Sequence, residues 1–291
     1  MISITEEMVK GLCPVRPADG HKGTFGTALI LAGSRYMPGA QMLCTSSALR
    51  SGVGIVKVLA PEESLVSTKA NCPCAVLCEY PDTVAGALRR YSAESSKASS
   101  VAIGPGIDTD DGRIRAILQY AVDNTPYLVI DAGALDIISK DTLFWQGLFE
   151  ARKEKGLPYP VITPHPGEFE RLTREGKDGF TPERCVQFAR DWGCVLVLKK
   201  HKTLIAIPGG EWYINNTGNN GMGKGGSGDV LTGLAAGFLA QGLAPADAAV
   251  AAVYLHGLSG DIAAEKTGVR AMLPTDLIDC LASSYRKTGW T

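Results

Sequence analysis

Asn215-Asn-Thr-Gly-Asn-Asn-Gly-Met-Gly-Lys-Gly-Gly-Ser-Gly-Asp229 runs directly into Val230-Leu-Thr-Gly-Leu-Ala-Ala-Gly-Phe-Leu239. The second segment is apolar and small, with leucines at 231, 234 and 239, and it reads as a buried helix. A glycine-dense turn feeding a helix start makes an anion site. Glycine lets the backbone approach a ligand closely, and the first-turn N–H groups have no partner within the helix. Asp229 stands at the helix start, where a carboxylate suits the helix dipole yet lies close to any bound phosphate. That placement is costly without a task. The task that fits is general base, taking a proton from a substrate hydroxyl.

Two common patterns can be laid over this stretch, and neither fits. Gly218 to Lys224 spells the start of a P-loop, but Gly225 stands where a Ser or Thr would ligate magnesium, and the preceding segment is Asn-rich rather than a buried strand. Gly221, Gly223 and Gly226 spell G-x-G-x-x-G, which a dinucleotide fold places directly after a strand, usually its first; here it comes late in the chain. A flexible loop without a ligand is the plainer alternative, and so much glycine abutting a well-formed helix start argues against it.

Outward from this stretch the chain alternates strands and helices. Thr5 to Leu12 reads as a short helix. Thr27–Ala32 is a buried strand, followed by Gly33-Ser34, a helix from Met37 to about Ser51, and a strand at Ile55–Leu59. The βαβ pattern recurs: a short strand at Ala75–Leu77, a helix at Thr83–Tyr91, a strand at Ser99–Ile103, a helix at Gly112–Val122 and a strand at Tyr127–Ile130. Glu150 to Pro160 is charged and reads as a loop. Val161–Thr163 is a strand, with a helix from Phe169 to Arg174 and another opened by Thr181-Pro182 and ending near Trp192-Gly193. Cys194–Leu198 is a strand, and a hairpin turns at Pro208-Gly-Gly210. Helices at Asp229–Leu239, Pro245–Ala264 and Thr275–Tyr285 close the chain. The pattern is one doubly wound α/β domain over residues 1–291, which binds its ligand at the carboxyl ends of its strands.

Composition narrows the classes. A net charge of −1 leaves no electrostatic footprint for nucleic acid or an anionic membrane. The acidic start and the lack of a long apolar run give no signal peptide or membrane span, so a cytoplasmic protein is expected. The eight cysteines fall mostly in apolar runs typical of buried free thiols. Cys72-Pro-Cys74-x-x-x-Cys78 is the one cluster, and no second ligand pair at zinc spacing follows it.

Four polar clusters are expected at strand ends facing the glycine loop: His21-Lys22-Gly23, Gly104-Pro-Gly106, Pro164-His-Pro-Gly-Glu168 and Lys199–Thr203. His165, held between prolines, either contacts a ligand or braces its loop. Glu168 either caps its helix or orients a hydrated magnesium. Asp131 is a helix cap or a magnesium neighbour. Lys199, Lys200, His201 and Lys202 form a solvated edge or a nucleotide contact.

Together, His21-Lys-Gly-x-x-Gly26, Gly33-Ser34, Pro38-Gly-Ala40, Gly104-Pro-Gly106, Thr163-Pro-His-Pro-Gly-Glu168 and Asn219-x-Gly-Met-x-x-Gly-Gly-x-Gly-Asp229 resemble the ADP/ATP-dependent NAD(P)H-hydrate dehydratases. These are a branch of the ribokinase-like superfamily. The motifs occur in order over nearly the whole chain, whereas the Gly-Gly-x-Gly-Asp ending alone is shared with many ribokinase-like kinases. The resemblance implies a mostly parallel sheet flanked by helices. It also implies a repair lyase that returns the S-epimer of NADH or NADPH hydrate to the intact dinucleotide, using ADP or ATP with Mg2+. Asp229 would deprotonate the C6 hydroxyl, which attacks the terminal phosphoryl group before phosphate is expelled. Carried over by motif, Ala40, Gly106, His165 and Asp229 contact the hydrate. Lys199, Lys200, His201, Lys202 and Thr203, with Gly225, Gly226, Ser227 and Gly228, contact the adenine nucleotide. Glu168 would hold magnesium through water.

Two positions depart from the family pattern. Lys200 stands where a glycine is usual, and Gly223-Lys224 stand where Ala and then Ser or Thr are usual; Lys224 is expected to add charge near the terminal phosphate. Some relatives fuse this domain to an epimerase. A chain of 291 residues is expected to lack it and to depend on a separate epimerase. The resemblance also implies a homotetramer. The alternatives are a ribokinase-like kinase of a vitamin or thiazole alcohol, which releases its phosphorylated product, and a non-catalytic nucleotide-binding regulator, which would be expected to lose Asp229 or the glycine loop.

Overall fold

The computed structural model describes residues 1–176 and 180–290. In chain order the elements are β1 (Ile2–Ser3), α1 (Glu6–Gly11), β2 (Thr27–Leu31), α2 (Pro38–Arg50), β3 (Ile55–Ala60), α3 (Glu62–Asn71), β4 (Val76–Glu79), α4 (Val84–Ser95), β5 (Ser100–Ile103) and α5 (Gly112–Asn124). Then follow β6 (Leu128–Ile130), α6 (Gly133–Ser139), α7 (Thr142–Glu154), β7 (Val161–Ile162), α8 (Pro166–Thr173), α9 (Pro182–Trp192), β8 (Val195–Leu198), β9 (Leu204–Ala206) and β10 (Trp212–Ile214). The last three helices are α10 (Ser227–Ala240), α11 (Pro245–Thr267) and α12 (Pro274–Thr288).

All ten strands join one sheet in the order β1-β10-β9-β8-β7-β6-β5-β2-β3-β4. Pairing is parallel except on the two sides of β9. The chain winds one way from β2 to β4 and the other way from β5 to β8, so the direction reverses between β2 and β5. A doubly wound sheet opens its ligand crevice at such a reversal, beyond the carboxyl ends of the strands. This is the expected ribokinase-like α/β architecture.

Period-two alternation assigns the two faces. Leu29, Leu31, Val101, Ile103, Leu128, Ile130, Leu196 and Leu198 point to one core, filled from the helix side by Ile117, Trp145, Phe149, Phe169 and Phe188. Ala28, Ile30, Ala102, Val129, Val195 and Val197 point to the other, filled by α10 and α11. Small residues on this second face let α10 lie close. A Cβ at Gly233 would stand 2.0 Å from Ser47 Oγ, so α10 and α2 touch nearly backbone to backbone. Among the described residues, no helix is long and apolar enough to cross a membrane.

The expected strands and helices are present, with shifts of a few residues at their ends. Three differences have physical causes. The charged segment after Glu150 is not wholly loop: α7 continues to Glu154, because Arg152 is a core residue. Its guanidinium donates to the carbonyls of Val122, Thr125, Pro126 and Pro158, and burial pulls its pKa down to about 10. Helix α3 was not expected, because it buries only Ser64, Leu65 and Thr68 and so carries little apolar periodicity. The His21-Lys22-Gly23 turn precedes β2 and packs on Gly54 ahead of β3, with Lys22 O against that glycine. It therefore lies at the amino end of the sheet, not at the crevice.

Candidate active site

The crevice starts where the turn after β5 meets the start of α2. Gly33 N donates to Pro105 O at 2.7 Å, joining the ends of β2 and β5. Gly106 has φ +65°, and a Cβ there would stand 2.7 Å from Ala40 Cβ and 2.9 Å from Met37 O. Only glycine takes this backbone at this distance. The expected substrate positions Ala40 and Gly106 are thus neighbours, on elements far apart in sequence.

The glycine loop reaches the same crevice from the other side. It leaves β10 at Asn215, and a 3₁₀ turn at Asn220–Met222 interrupts it before α10. Gly226 has φ +100° and its Cα faces Leu43 and Pro274, with 2.5 Å left to Leu43 Cδ1 for a Cβ. This left-handed residue reverses the chain into α10, whose third residue is the half-buried Asp229. Burial pushes the Asp229 carboxyl up to about 7, with Asp131 and Glu168 adding to the rise and Lys199 opposing it. A carboxylate so placed is half-ionised near neutrality and basic enough to take a proton from an alcohol being phosphorylated.

Behind Asp229 lies a buried ion pair. Asp131, 1% exposed at the end of β6, accepts from Lys199 Nζ at 2.7 Å and from Thr232 Oγ1 at 2.6 Å. Lys199 leaves the end of β8 and also lies 3.9 Å from Glu168 Oε2. Burial alone would lower the Lys199 pKa, but Asp131 and Glu168 outweigh it and hold the amine charged. A Cβ on Gly228 would stand 3.2 Å from Lys199 Nζ, so the pair abuts the first turn of α10. Asp131 does not cap α6 through its side chain; its carboxylate faces Lys199 and Thr232 instead.

His165 and Glu168 cap α8 reciprocally. His165 Nδ1 accepts from Gly167 N at 3.0 Å and Glu168 N at 3.3 Å, and Glu168 Oε2 accepts from His165 N at 2.7 Å. Both local readings therefore hold: the imidazole braces its loop and Glu168 caps its helix. With Nδ1 accepting, the neutral ring carries its proton on Nε2, which lies 3.4 Å from Glu168 Oε1. Burial, reinforced by Lys199 and Arg171, lowers the His165 pKa and keeps it neutral.

The Lys199–Thr203 turn divides. Lys199 points inward, whereas Lys200, His201 and Lys202 are exposed. Thr203 O accepts from Asn215 N at 2.9 Å, which ties this turn to the start of the glycine loop. Lys224 does not project toward the loop's anion-binding face. Its Nζ donates to Arg270 O at 2.8 Å and Met272 O at 2.7 Å, latching the turn before α12. Thr163 Oγ1 and Ser227 Oγ are buried without a protein partner at the crevice ends of β7 and α10. Among the described residues, no group of three or more His, Cys, Asp or Glu is placed to hold a metal directly. The cysteines are free thiols; Cys72 Sγ lies 3.1 Å from Ser46 Oγ, and Cys74 is exposed.

Thr232, His256 and Asp261 also serve this region and were not singled out from the sequence. Thr232 lies inside an apolar helix, one turn after Gly228, and its hydroxyl was the only signal. His256 and Asp261 interrupt the Ala-rich run of α11, and such breaks are the signal for a polar contact to a neighbour.

Comparison with known proteins agrees with this geometry. Residues 28–283 match the family described as NAD(P)H-hydrate dehydratase. The chain is 35% identical over 288 residues to the ADP-dependent (S)-NAD(P)H-hydrate dehydratase of Bacillus subtilis, covering 97% of each. It is 37% identical over 288 residues to the bifunctional NAD(P)H-hydrate repair enzyme of Moorella thermoacetica, covering 96% of this chain and 52% of that protein. The chain thus spans about half of such bifunctional relatives and nearly all of the shorter ones. A crystal structure of the Bacillus subtilis ADP/ATP-dependent dehydratase, co-crystallised with ATP and Mg2+, superposes with a TM-score of 0.79 at 29% identity, covering 99% of this chain and 98% of that one.

Proposed function

The chain belongs to the NAD(P)H-hydrate dehydratase family, and from that premise we propose that it returns the S-epimer of NADH or NADPH hydrate to the intact dinucleotide at the expense of ADP or ATP. The observation that carries the reading is Asp229, the third residue of α10, with its carboxyl pushed up to about 7 beside a glycine loop at the sheet's reversal.

The residues divide the work as follows. Ala40 and Gly106 form a close-packed floor with no side chain between them, where the flat dihydronicotinamide ring can lie. The Nε2–H of the exposed His165 ring donates to a polar group of the hydrate. Asp229 takes the proton of the C6 hydroxyl, and the freed oxygen bonds to the terminal phosphorus. The bond from that phosphorus to the rest of the nucleotide breaks, releasing AMP from ADP or ADP from ATP. The ring nitrogen lone pair then expels phosphate from C6, and loss of a C5 proton restores the double bond. The N–H groups of Gly225, Gly226 and Gly228, with the buried hydroxyl of Ser227, whose own N–H donates to Lys224 O, cradle the transferring phosphoryl group, which spreads its charge over oxygens that need fixed donors. Lys200, His201, Lys202 and Thr203 flank the nucleotide from the β8–β9 turn.

A magnesium ion fits this donor set at one remove. Lys199 and Thr232 already engage the Asp131 carboxylate, so Glu168 would hold the ion through water. Bound there, the ion would neutralise phosphate charge near these carboxylates.

The test supplies NADH hydrate, magnesium and either ADP or ATP, and follows absorbance of the regenerated dihydronicotinamide. Nucleotide-dependent regeneration that Asp229→Asn abolishes supports the reading. A stable phosphorylated hydrate as the end product overturns it in favour of a kinase, which would use the same Asp229 and glycine loop. The proposal extends to a homotetramer in the cytoplasm served by a separate epimerase; light scattering tests the assembly.

A further inference from the structure

The glycine loop is not a free strand of backbone. It is sutured along one face of α11. Thr217 Oγ1 donates to Tyr254 O at 2.9 Å, and Asn215 Nδ2 donates to Val253 O at 3.4 Å. Asp261 Oδ2 accepts from Gly218 N at 2.8 Å, and its Oδ1 accepts from Asn219 Nδ2 at 3.0 Å. The same Asn219 amide donates to Gly260 O at 2.9 Å, while its Oδ1 accepts from Gly221 N at 2.9 Å. At the far end, His256 Nε2 lies 2.9 Å from Ser227 O. Positions 253, 256, 257, 260 and 261 follow the three- and four-residue spacing of one helical stripe. That stripe leaves space only for hydrogen: a Cβ at Gly257 would stand 2.2 Å from Thr217 Oγ1, and one at Gly260 would stand 2.4 Å from Met222 Sδ.

We propose that Asp261 and His256 are positioning residues, which hold the two ends of the glycine loop on α11 so that its N–H groups are set before the nucleotide arrives. The proposal deepens the functional reading above and rests on it. Neither side chain is asked to touch the reacting atoms. Asp261 is the only described carboxylate that pairs with the loop's backbone, and it draws Gly218 N and Asn219 onto the helix together. His256 fixes the first carbonyl of α10, two residues before Asp229. Burial lowers the His256 pKa to about 4, so its ring is neutral and serves as a fixed donor to the Ser227 carbonyl at any working pH. Preorganised donors at a phosphoryl site lower the barrier because they need no rearrangement during transfer.

The Asp261 contacts allow a graded test. Asp261→Asn keeps one acceptor and leaves one N–H of the loop without its partner. Asp261→Ala removes both acceptors, so Gly218 N and the Asn219 amide lose this partner together. Asp261→Asn is expected to lower kcat/KM for the nucleotide roughly 10- to 100-fold, the scale of a small misplacement at a reacting group. The KM for the hydrate should stay within about 3-fold, because uniform binding of that substrate is untouched. Asp261→Ala should lose several-fold more than Asp261→Asn. His256→Phe should cost more than His256→Gln, which keeps a neutral N–H donor.

Nucleotide kinetics that do not change in Asp261→Asn, or a loss confined to melting temperature, would overturn the proposal. So would an Asp261→Ala variant no worse than Asp261→Asn. If the wild-type chain regenerates no dinucleotide, the functional reading falls. The clamp is then judged by ADP affinity from calorimetry on the same variants, with the same order of loss required.

Discussion

His21 and His165 build the same turn at opposite ends of one sheet. In each, Nδ1 accepts the backbone N–H two residues later, Gly23 at 3.1 Å and Gly167 at 3.0 Å. Both rings are exposed. Beyond this the two part. His21 sits before β2, where its N donates to Thr24 Oγ1, its neighbour Lys22 lies against Gly54 and no helix follows. His165 sits after β7, where Pro166 opens α8 and Glu168 returns the hydrogen bond and approaches Lys199. A local sequence can specify a turn without specifying a site. The end of the strand decides, because a parallel sheet collects its loops, helix starts and charges at the carboxyl side.

If that contrast is right, effects of substitution should fall away steeply from Asp229 toward the His21 end. The largest effect is expected at Asp229 itself: Asp229→Asn should lower kcat about 10²- to 10⁴-fold, the usual worth of a general base, read from dinucleotide regeneration. Next comes pH. The base must be ionised, so with a carboxyl at about 7, kcat should climb roughly tenfold per pH unit below 7 and level above it. An unperturbed carboxylate would level near pH ~4. The same shift has a stability sign. Because folding raises this pKa, ionised Asp229 opposes the folded state as pH rises from the model-peptide range through about 7. Asp229→Asn should therefore melt higher than wild type at pH 8, and the gap should close toward pH 4.

The histidine pair tests the contrast directly. His165→Ala should raise the KM for the hydrate about 5- to 10-fold, the worth of one ~1 kcal/mol hydrogen bond, whereas His21→Ala should change it less than about 2-fold. Equal losses would break the comparison. The smallest effect is expected for Lys224→Ala. Its ammonium is spent on two carbonyls of the turn before α12, so nucleotide KM and kcat should move less than about 2-fold. A tenfold rise in nucleotide KM would show that Lys224 leaves that latch to meet phosphate.

Much of this was legible in the sequence because alternation and glycine placement are local signals. Strands β2, β5, β6, β7 and β8 announce themselves as buried runs, and the start of α10 is marked by glycine, then Asp229. What stayed hidden depends on partners far along the chain. Arg152 reads as a solvated charge until the carbonyls of Val122, Thr125, Pro126 and Pro158 are brought round it. Lys199 reads as one of a basic run, yet the carboxylates of Asp131 and Glu168, distant in sequence, are why it turns inward. Lys224 belongs to the glycine loop by sequence and to the turn at Arg270–Met272 by contact. Helix α3 left no trace because a helix that buries a serine, a leucine and a threonine has almost no apolar period.

The first strand has a consequence in time rather than in space. Ile2 pairs with Tyr213 and Ser3 with Ile214, and Asn216 Nδ2 donates to Ser3 Oγ at 2.9 Å. Strand β1 leaves a ribosome long before β10 and must wait for the residues between them before its partner exists. Until then it has no sheet to join, and once β10 forms, that strand carries an unpaired edge until β1 arrives. Open edges recruit other chains. Newly made molecules should thus be most prone to stick to one another in the interval between the tenth strand and the return of the first, and slowing that return should lower the yield of folded protein without altering its final stability.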